Sequence, residues 1–141
     1  MQVQLYLTFY GRCEEALAFY KEKLGAEVLF QMRFKDAPPD HAMQGELGER
    51  IMHASFKIGD TTLMGSDGDP KQPATAGYHG FSVSLSLDDV AKGEKLFNAL
   101  ADGGEVYMPW AKTFWAKGFG MVKDKFGISW MVNVEEPHAG G

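Results

Sequence analysis

At 141 residues with a formal net charge of -5, the chain is expected to form one domain, or two small halves sharing a core. Its 45% hydrophobic and 23% charged residues argue against disorder, and the acidic balance without a basic cluster argues against nucleic acid and anionic membranes as partners. No apolar run approaches the roughly 18 residues that span a bilayer. The start MQVQLYLTFYGRCEE lacks a signal peptide's basic start and cleavage site, and the single Cys13 cannot form an intrachain disulfide, so the expected location is cytoplasmic.

Gln2 to Phe9 alternates, with Val3, Leu5, Leu7 and Phe9 against Gln2, Gln4, Tyr6 and Thr8, which predicts a strand with one buried face. From Cys13 to Leu24 the period becomes helical, with Cys13, Ala16, Leu17, Tyr20 and Leu24 on one stripe. Glu14 and Glu15 in the first turn and Lys21 and Lys23 in the last suit the helix dipole, and Gly25 is placed as a C-cap. Val28, Phe30, Met32 and Phe34 mark a second strand. Asp36 to Arg50, broken by Pro38, Pro39, Gly45 and Gly48, reads as a long loop that could act as a lid. Ile51 to Ile58 and Thr61 to Ser66 form a hairpin about Gly59-Asp60.

Gly65 to Gly77, GSDGDPKQPATAG, is the strongest linker candidate. The pattern then restarts. Phe81 to Leu87 alternates with Ser82, Ser84 and Ser86, and Asp88 is the expected N-cap of a helix with Val90, Gly93, Phe97, Leu100 and Ala101 on its stripe. Gly103-Gly104 ends it, and Glu105 to Met108 is a further strand. Phe119 to Lys123 and Ile128 to Val134 are joined by the turn Asp124-Lys125-Phe126-Gly127. In the last strand Ile128, Trp130, Val132 and Val134 share one face, and Ser129, Met131 and Asn133 share the other.

Both halves thus run strand, helix, then three strands, a weak internal duplication. The expected organisation is a first module over 1–66, a linker over 67–77 and a second module over 78–136. The fold class is α+β, with two βαβββ modules forming curved mixed sheets around a cavity.

That order, with Glu15-Ala16-Leu17-Ala18-Phe19-Tyr20 and Leu24-Gly25-Ala26 after the first strand, resembles the vicinal oxygen chelate superfamily. It includes glyoxalase I, extradiol dioxygenases and bleomycin-resistance proteins. Phe9-x-Gly11 before the helix, Thr113-Phe114-Trp115-Ala116-x-Gly118-Phe119-Gly120, and Asp124-x-Phe126-Gly127-x-x-Trp130-Met131 resemble the PhnB-like subgroup in particular. The resemblance implies a glyoxalase/bleomycin resistance-like fold over nearly the whole chain. It also implies metal ligands, in metal-using members, on the first and third strands of each module. Strand parity carries those places onto Gln4 (or Leu5), His53, Ser82 and Met131. Gln4 and His53 could bind a divalent ion; Ser82 is a poor ligand and Met131 suits only soft ions. No metal and no cofactor are therefore expected. The subgroup's methyltransferase label finds no support either, because Gly118-Phe119-Gly120 lies in a strand with no helix following it.

His53 is the candidate catalytic residue, since an imidazole titrates near neutrality; a hydrogen-bonded wall residue is the plainer reading. Gln4, Tyr6, Ser55, Ser82, Ser84, Trp115, Met131 and Asn133 are the candidate ligand-binding residues, on parity and, for Trp115, on its Gly-flanked segment. Cys13 reads as an inert packed thiol, and Trp130 should pack against a helix. The expected role is a homodimer binding a small organic molecule between the modules, without a complete metal site. Two alternatives stand beside it: a metal-dependent lyase, isomerase or dioxygenase of glyoxalase type, and a protein that sequesters a drug or antibiotic.

Overall fold

The computed structural model describes residues 1–71 and 77–136. The chain divides into two compact units, Met1–Ala74 and Thr75–Gly141. The first contains β1 (Tyr6–Thr8), α1 (Cys13–Leu24), β2 (Glu27–Arg33), a 3-10 turn (Phe34–Asp36), α2 (Gly45–Glu49), β3 (Ile51–Ile58) and β4 (Thr61–Ser66). Its sheet has the order β1-β4-β3-β2, with β1 parallel to β4 and the other pairs antiparallel. The second contains β5 (Val83–Leu87), α3 (Val90–Leu100), β6 (Glu105–Ala111), β7 (Ala116–Lys123) and β8 (Ser129–Glu135). Its sheet order is β5-β8-β7-β6, again with only the first pair parallel. Each unit is a βαβββ module of one topology, so the expected α+β class and the duplication both hold. Among the described residues no helix is long and apolar enough to cross a membrane.

In the first unit α1 lies on the sheet face that carries Ala54 and Phe56. Cys13, Ala16, Leu17, Phe19 and Tyr20 are buried there, and the Tyr20 ring stacks on Phe56 at 6.2 Å. Gly25, at φ 71°, closes the helix by donating to the Lys21 carbonyl, a backbone conformation that glycine adopts without strain. The helix start is held by a carboxylate from the end of β4. Asp67, 3% exposed, accepts from the amides of Gly11 (2.9 Å), Cys13 (2.8 Å) and Ile51 (2.8 Å). An anion at a helix N-terminus is favoured by the dipole, and here it also ties α1 to β3.

In the second unit α3 packs over β7 and β8. Gly93, Phe97 and Leu100 are buried on the helix, and Trp130, Val132 and Val134 are buried on β8, as the alternation predicts. Glycines create the necessary space. A Cβ on Gly118 would overlap the indole of Trp110, and one on Gly120 would meet Phe97 at 2.6 Å. The β7–β8 turn is the expected four-residue one, with the Gly127 amide donating to the Asp124 carbonyl at 2.9 Å. The Asp124 carboxylate accepts from Phe126 N, Ile128 N and Trp130 Nε1.

Four expectations need correction. The first strand spans Tyr6–Thr8 rather than Gln2–Phe9, because pairing with β4 begins only at Tyr6; alternation specifies a face and supplies no partner. The stretch from Asp36 to Arg50 is not a plain loop but contains α2, whose Glu49 carboxylate accepts from Lys35 Nζ at 2.9 Å. The α3 N-cap is Asp89, one residue after Asp88, and its side chain accepts from Lys92 N. Asp67, placed at the linker's start by composition, is buried and hydrogen-bonded, whereas Ser66 ends β4 as the hairpin reading has it. The linker's residues 72–76 lie outside the described ones.

Candidate functional site

Each sheet has one face under its helix and one without a helix, and the chemistry-bearing side chains gather on the latter. In the first unit the register sets Tyr6 beside Met64, Met64 beside Ser55, and Ser55 beside Phe30, one row across all four strands. His53 lies one residue pair further along β3, beside Met32. Tyr6 Oη and His53 Nδ1 are 3.0 Å apart, and the two rings stack at 5.6 Å with 29° between their planes. The Phe30 ring lies 6.1 Å from the imidazole, tilted by 44°. Tyr6 and Phe30 are 44% and 48% exposed, so two aromatic rings border a half-buried imidazole on an accessible surface.

The hydrogen bond is of consequence for tautomer. Either the phenol O–H donates to an unprotonated Nδ1, or an Nδ1–H donates to the phenol oxygen. The first arrangement places the ring proton on Nε2 and makes that nitrogen a donor; the second makes it an acceptor.

In the second unit the helix-free face carries the row Ser84, Met131, Met121, Met108, followed by Ser86, Asn133 and Phe119. Asn133 Oδ1 is buried with no hydrogen-bond partner. Trp115 packs edge-on against Phe119 at 5.3 Å and against Phe114 at 4.8 Å. The turn holding them is fixed by Thr113 Oγ1, which accepts from the amides of Trp115 and Ala116, and it presents Phe114 93% exposed.

Tyr6, His53 and Ser55 therefore share one face of the first sheet, and Ser84, Met131 and Asn133 share one face of the second. Gln4 is exposed and lies before β1, and Ser82 lies before β5. Tyr6 stands against His53 in the first-strand place expected of Gln4 or Leu5. Parity identified the faces, but the Tyr6–His53 contact joins residues 47 apart in sequence and has no local signal. Met108, beside Met121, has no local signal either, because a bulge at Tyr107 hides the β6 register.

Among the described residues no three of His, Cys, Asp and Glu converge as they would around a metal ion. The register neighbours of His53 on this face are the Tyr6 phenol, the Ser55 hydroxyl and the Met32 and Met64 thioethers, a poor match to a hard or borderline divalent cation. Cys13 is sealed under α1, and burial, then the negative charges of Asp67 and Glu14, pushes its thiol up to about 12. Burial and the raised pKa both disfavour the thiolate, the reactive form.

The paired βαβββ modules define the class as the glyoxalase/bleomycin resistance-like fold. A glyoxylase/bleomycin resistance protein/dioxygenase domain from Frankia sp. EAN1pec shares it, at a TM-score of 0.66 and 14% identity over 99% of this chain and 94% of that one. The family model described as 3-demethylubiquinone-9 3-methyltransferase matches residues 1–133, and the chain belongs to that PhnB-like family of the vicinal oxygen chelate superfamily. Protein YjdN of Escherichia coli K12 is 39% identical over 95% of each chain. The crystal structure of protein PA1353 from Pseudomonas aeruginosa matches at a TM-score of 0.85 with 43% identity, over 97% of this chain and 99% of that one.

The family's description implies a methyl donor, and the glycines do not fit one. Gly118 and Gly120 lie within β7, and each gives room to an aromatic ring. In the glycine-bearing turn from β1 into α1, the amides of Gly11 and Cys13 already donate to Asp67. A nucleotide-type donor would need such amides free.

Proposed function

We propose that this PhnB-like protein binds a small organic molecule on the helix-free sheet face that carries Tyr6 and His53, without a complete divalent metal site. The observation that carries this reading is the Tyr6–His53 hydrogen bond on an accessible face, bordered by Phe30. An isolated surface histidine needs no such setting. Here the phenol orients the ring and leaves Nε2 to a ligand's carbonyl, hydroxyl or carboxylate. Tyr6 and Phe30 would cover a flat apolar body. Ser55 adds a hydroxyl, and Ser84, Met131 and Asn133 are the corresponding groups of the second module. Methyl transfer is not part of the proposal.

Should the protein catalyse, His53 is the residue we assign to proton transfer, with Tyr6 as the group that sets its tautomer. We further propose that it works as a homodimer, since Phe114 and Trp115 form a rigid, exposed aromatic tip. Ligand-observed NMR against a panel of small carbonyl and aromatic compounds tests the binding. Compounds that bind wild type and lose at least tenfold in affinity with His53→Ala support it. A panel whose binders are indifferent to both His53→Ala and Tyr6→Phe contradicts it.

A further inference from the structure

Three methionines stand side by side across the second sheet: Met108 on β6 pairs with Met121 on β7, which pairs with Met131 on β8. Cross-strand partners project to the same face, and here it is the face away from α3. The opposite face of the same strands is built from Val122, Trp130, Val132 and Val134, all buried, and contains no methionine. If the sulfur-bearing chains were only filling a core, they would be sealed as those residues are. Instead Met108 is 40% exposed, and Met121 and Met131 are half-buried.

The spacing suits a shared ligand. Strands lie about 4.8 Å apart, so the two outer methionines start about 10 Å apart at the backbone. Each sulfur lies two bonds beyond Cβ, about 2.7 Å at ordinary bond lengths, and the two torsions that place it let it lean along the row. The outer sulfurs can thus close to about 4–5 Å, with the third between them. Metal–sulfur bonds near 2.3 Å in a trigonal arrangement need sulfurs about 4 Å apart. The donors are soft and uncharged. They would not repay the dehydration of a divalent ion, whereas thioethers select soft monovalent ions. Lys123, two residues beyond Met121 on β7, is turned to the Tyr107 ring, with Nζ 5.4 Å from its centroid.

We infer that Met108, Met121 and Met131 form a three-thioether site for a soft monovalent d10 cation of the Cu(I) class. It lies on the helix-free face of the second sheet, shares Met131 with the second-module groups named above, and rests on the methionine row rather than on the Tyr6–His53 hydrogen bond. Binding involves no change of oxidation state, only replacement of water on the ion by three sulfurs.

Silver(I), a redox-inert ion of the same class, tests the site on the full chain with its eight methionine methyl groups labelled for NMR. A Cys13→Ala background removes the competing thiol. The expected result is that the signals of Met108, Met121 and Met131 shift together and saturate at one equivalent. Met121→Leu, which keeps the volume, should weaken binding at least tenfold. Conservation of the remaining methyl spectrum shows that this variant is folded, and Met131→Leu serves if it is not. The inference is overturned if those three signals stay in place while silver is added, if other methionines take up the first equivalent, or if Met121→Leu and Met131→Leu both bind as tightly as the parent.

Discussion

Asp67 shows how one side chain can organise a module. Its two oxygens take three amides from three places, the turn after β1, the start of α1 and the start of β3. Removing the acceptor strands buried donors, each costing about 1–3 kcal/mol. Asp67→Ala is therefore expected to lower stability by about 3 kcal/mol or more, and Asp67→Asn, which keeps one carbonyl oxygen, by clearly less; urea denaturation ranks the two. Equal losses would show that hydrogen bonding is not what the residue contributes. The adjacent Cys13 carries a pH dependence. The folded chain holds the thiol proton up to about 12, more tightly than the unfolded chain does. Stability from this group is whole below about pH 9 and falls as pH rises toward 12. Wild type should lose up to ~1.4 kcal/mol per pH unit more than Cys13→Ala across that window. Denaturation curves that stay parallel for the two proteins would contradict the burial argument.

At the scale of elements, α3 sits close to its sheet because β7 offers glycine where the helix and Trp110 press in. Gly120→Ala puts a methyl into the Phe97 ring position and should cost about 1–3 kcal/mol. A thermal melt unchanged by that substitution would mean that the ring has room to retreat. Strand parity made much of this legible beforehand: Trp130, Val132 and Val134 under the helix, and Met131 and Asn133 away from it, follow from a period of two. Parity cannot tell which residue of a distant strand comes alongside. The lateral neighbours were therefore hidden, Tyr6 beside His53 above all, since β1 meets β4 only in a parallel, non-local pairing. The same limit concealed why Gly118 and Gly120 occur where they do. Composition misplaced Asp67 for a related reason. Small polar residues suggest a linker unless their buried partners are known.

For the whole molecule, the fold and the PhnB-like family constrain chemistry only through the residues present. Those residues are mild: one imidazole, one phenol, several hydroxyls and thioethers, and among the described residues no three of His, Cys, Asp and Glu placed to hold a metal. Protein purified without chelator should accordingly carry no stoichiometric zinc, nickel or iron by elemental analysis; such a metal, lost in His53→Ala, would restore the metal-dependent alternative. The proposed homodimer should sediment at twice the 15.6 kDa chain mass at micromolar concentration, and a purely monomeric boundary would remove it. The central claim is that the Tyr6–His53 face receives a small organic ligand. Its most direct test is amide and side-chain chemical-shift mapping with the tightest compound from the carbonyl and aromatic panel. The account predicts shifts centred on Tyr6, Phe30, His53 and Ser55 that vanish in His53→Ala. Shifts centred elsewhere, or unchanged in that variant, would contradict it.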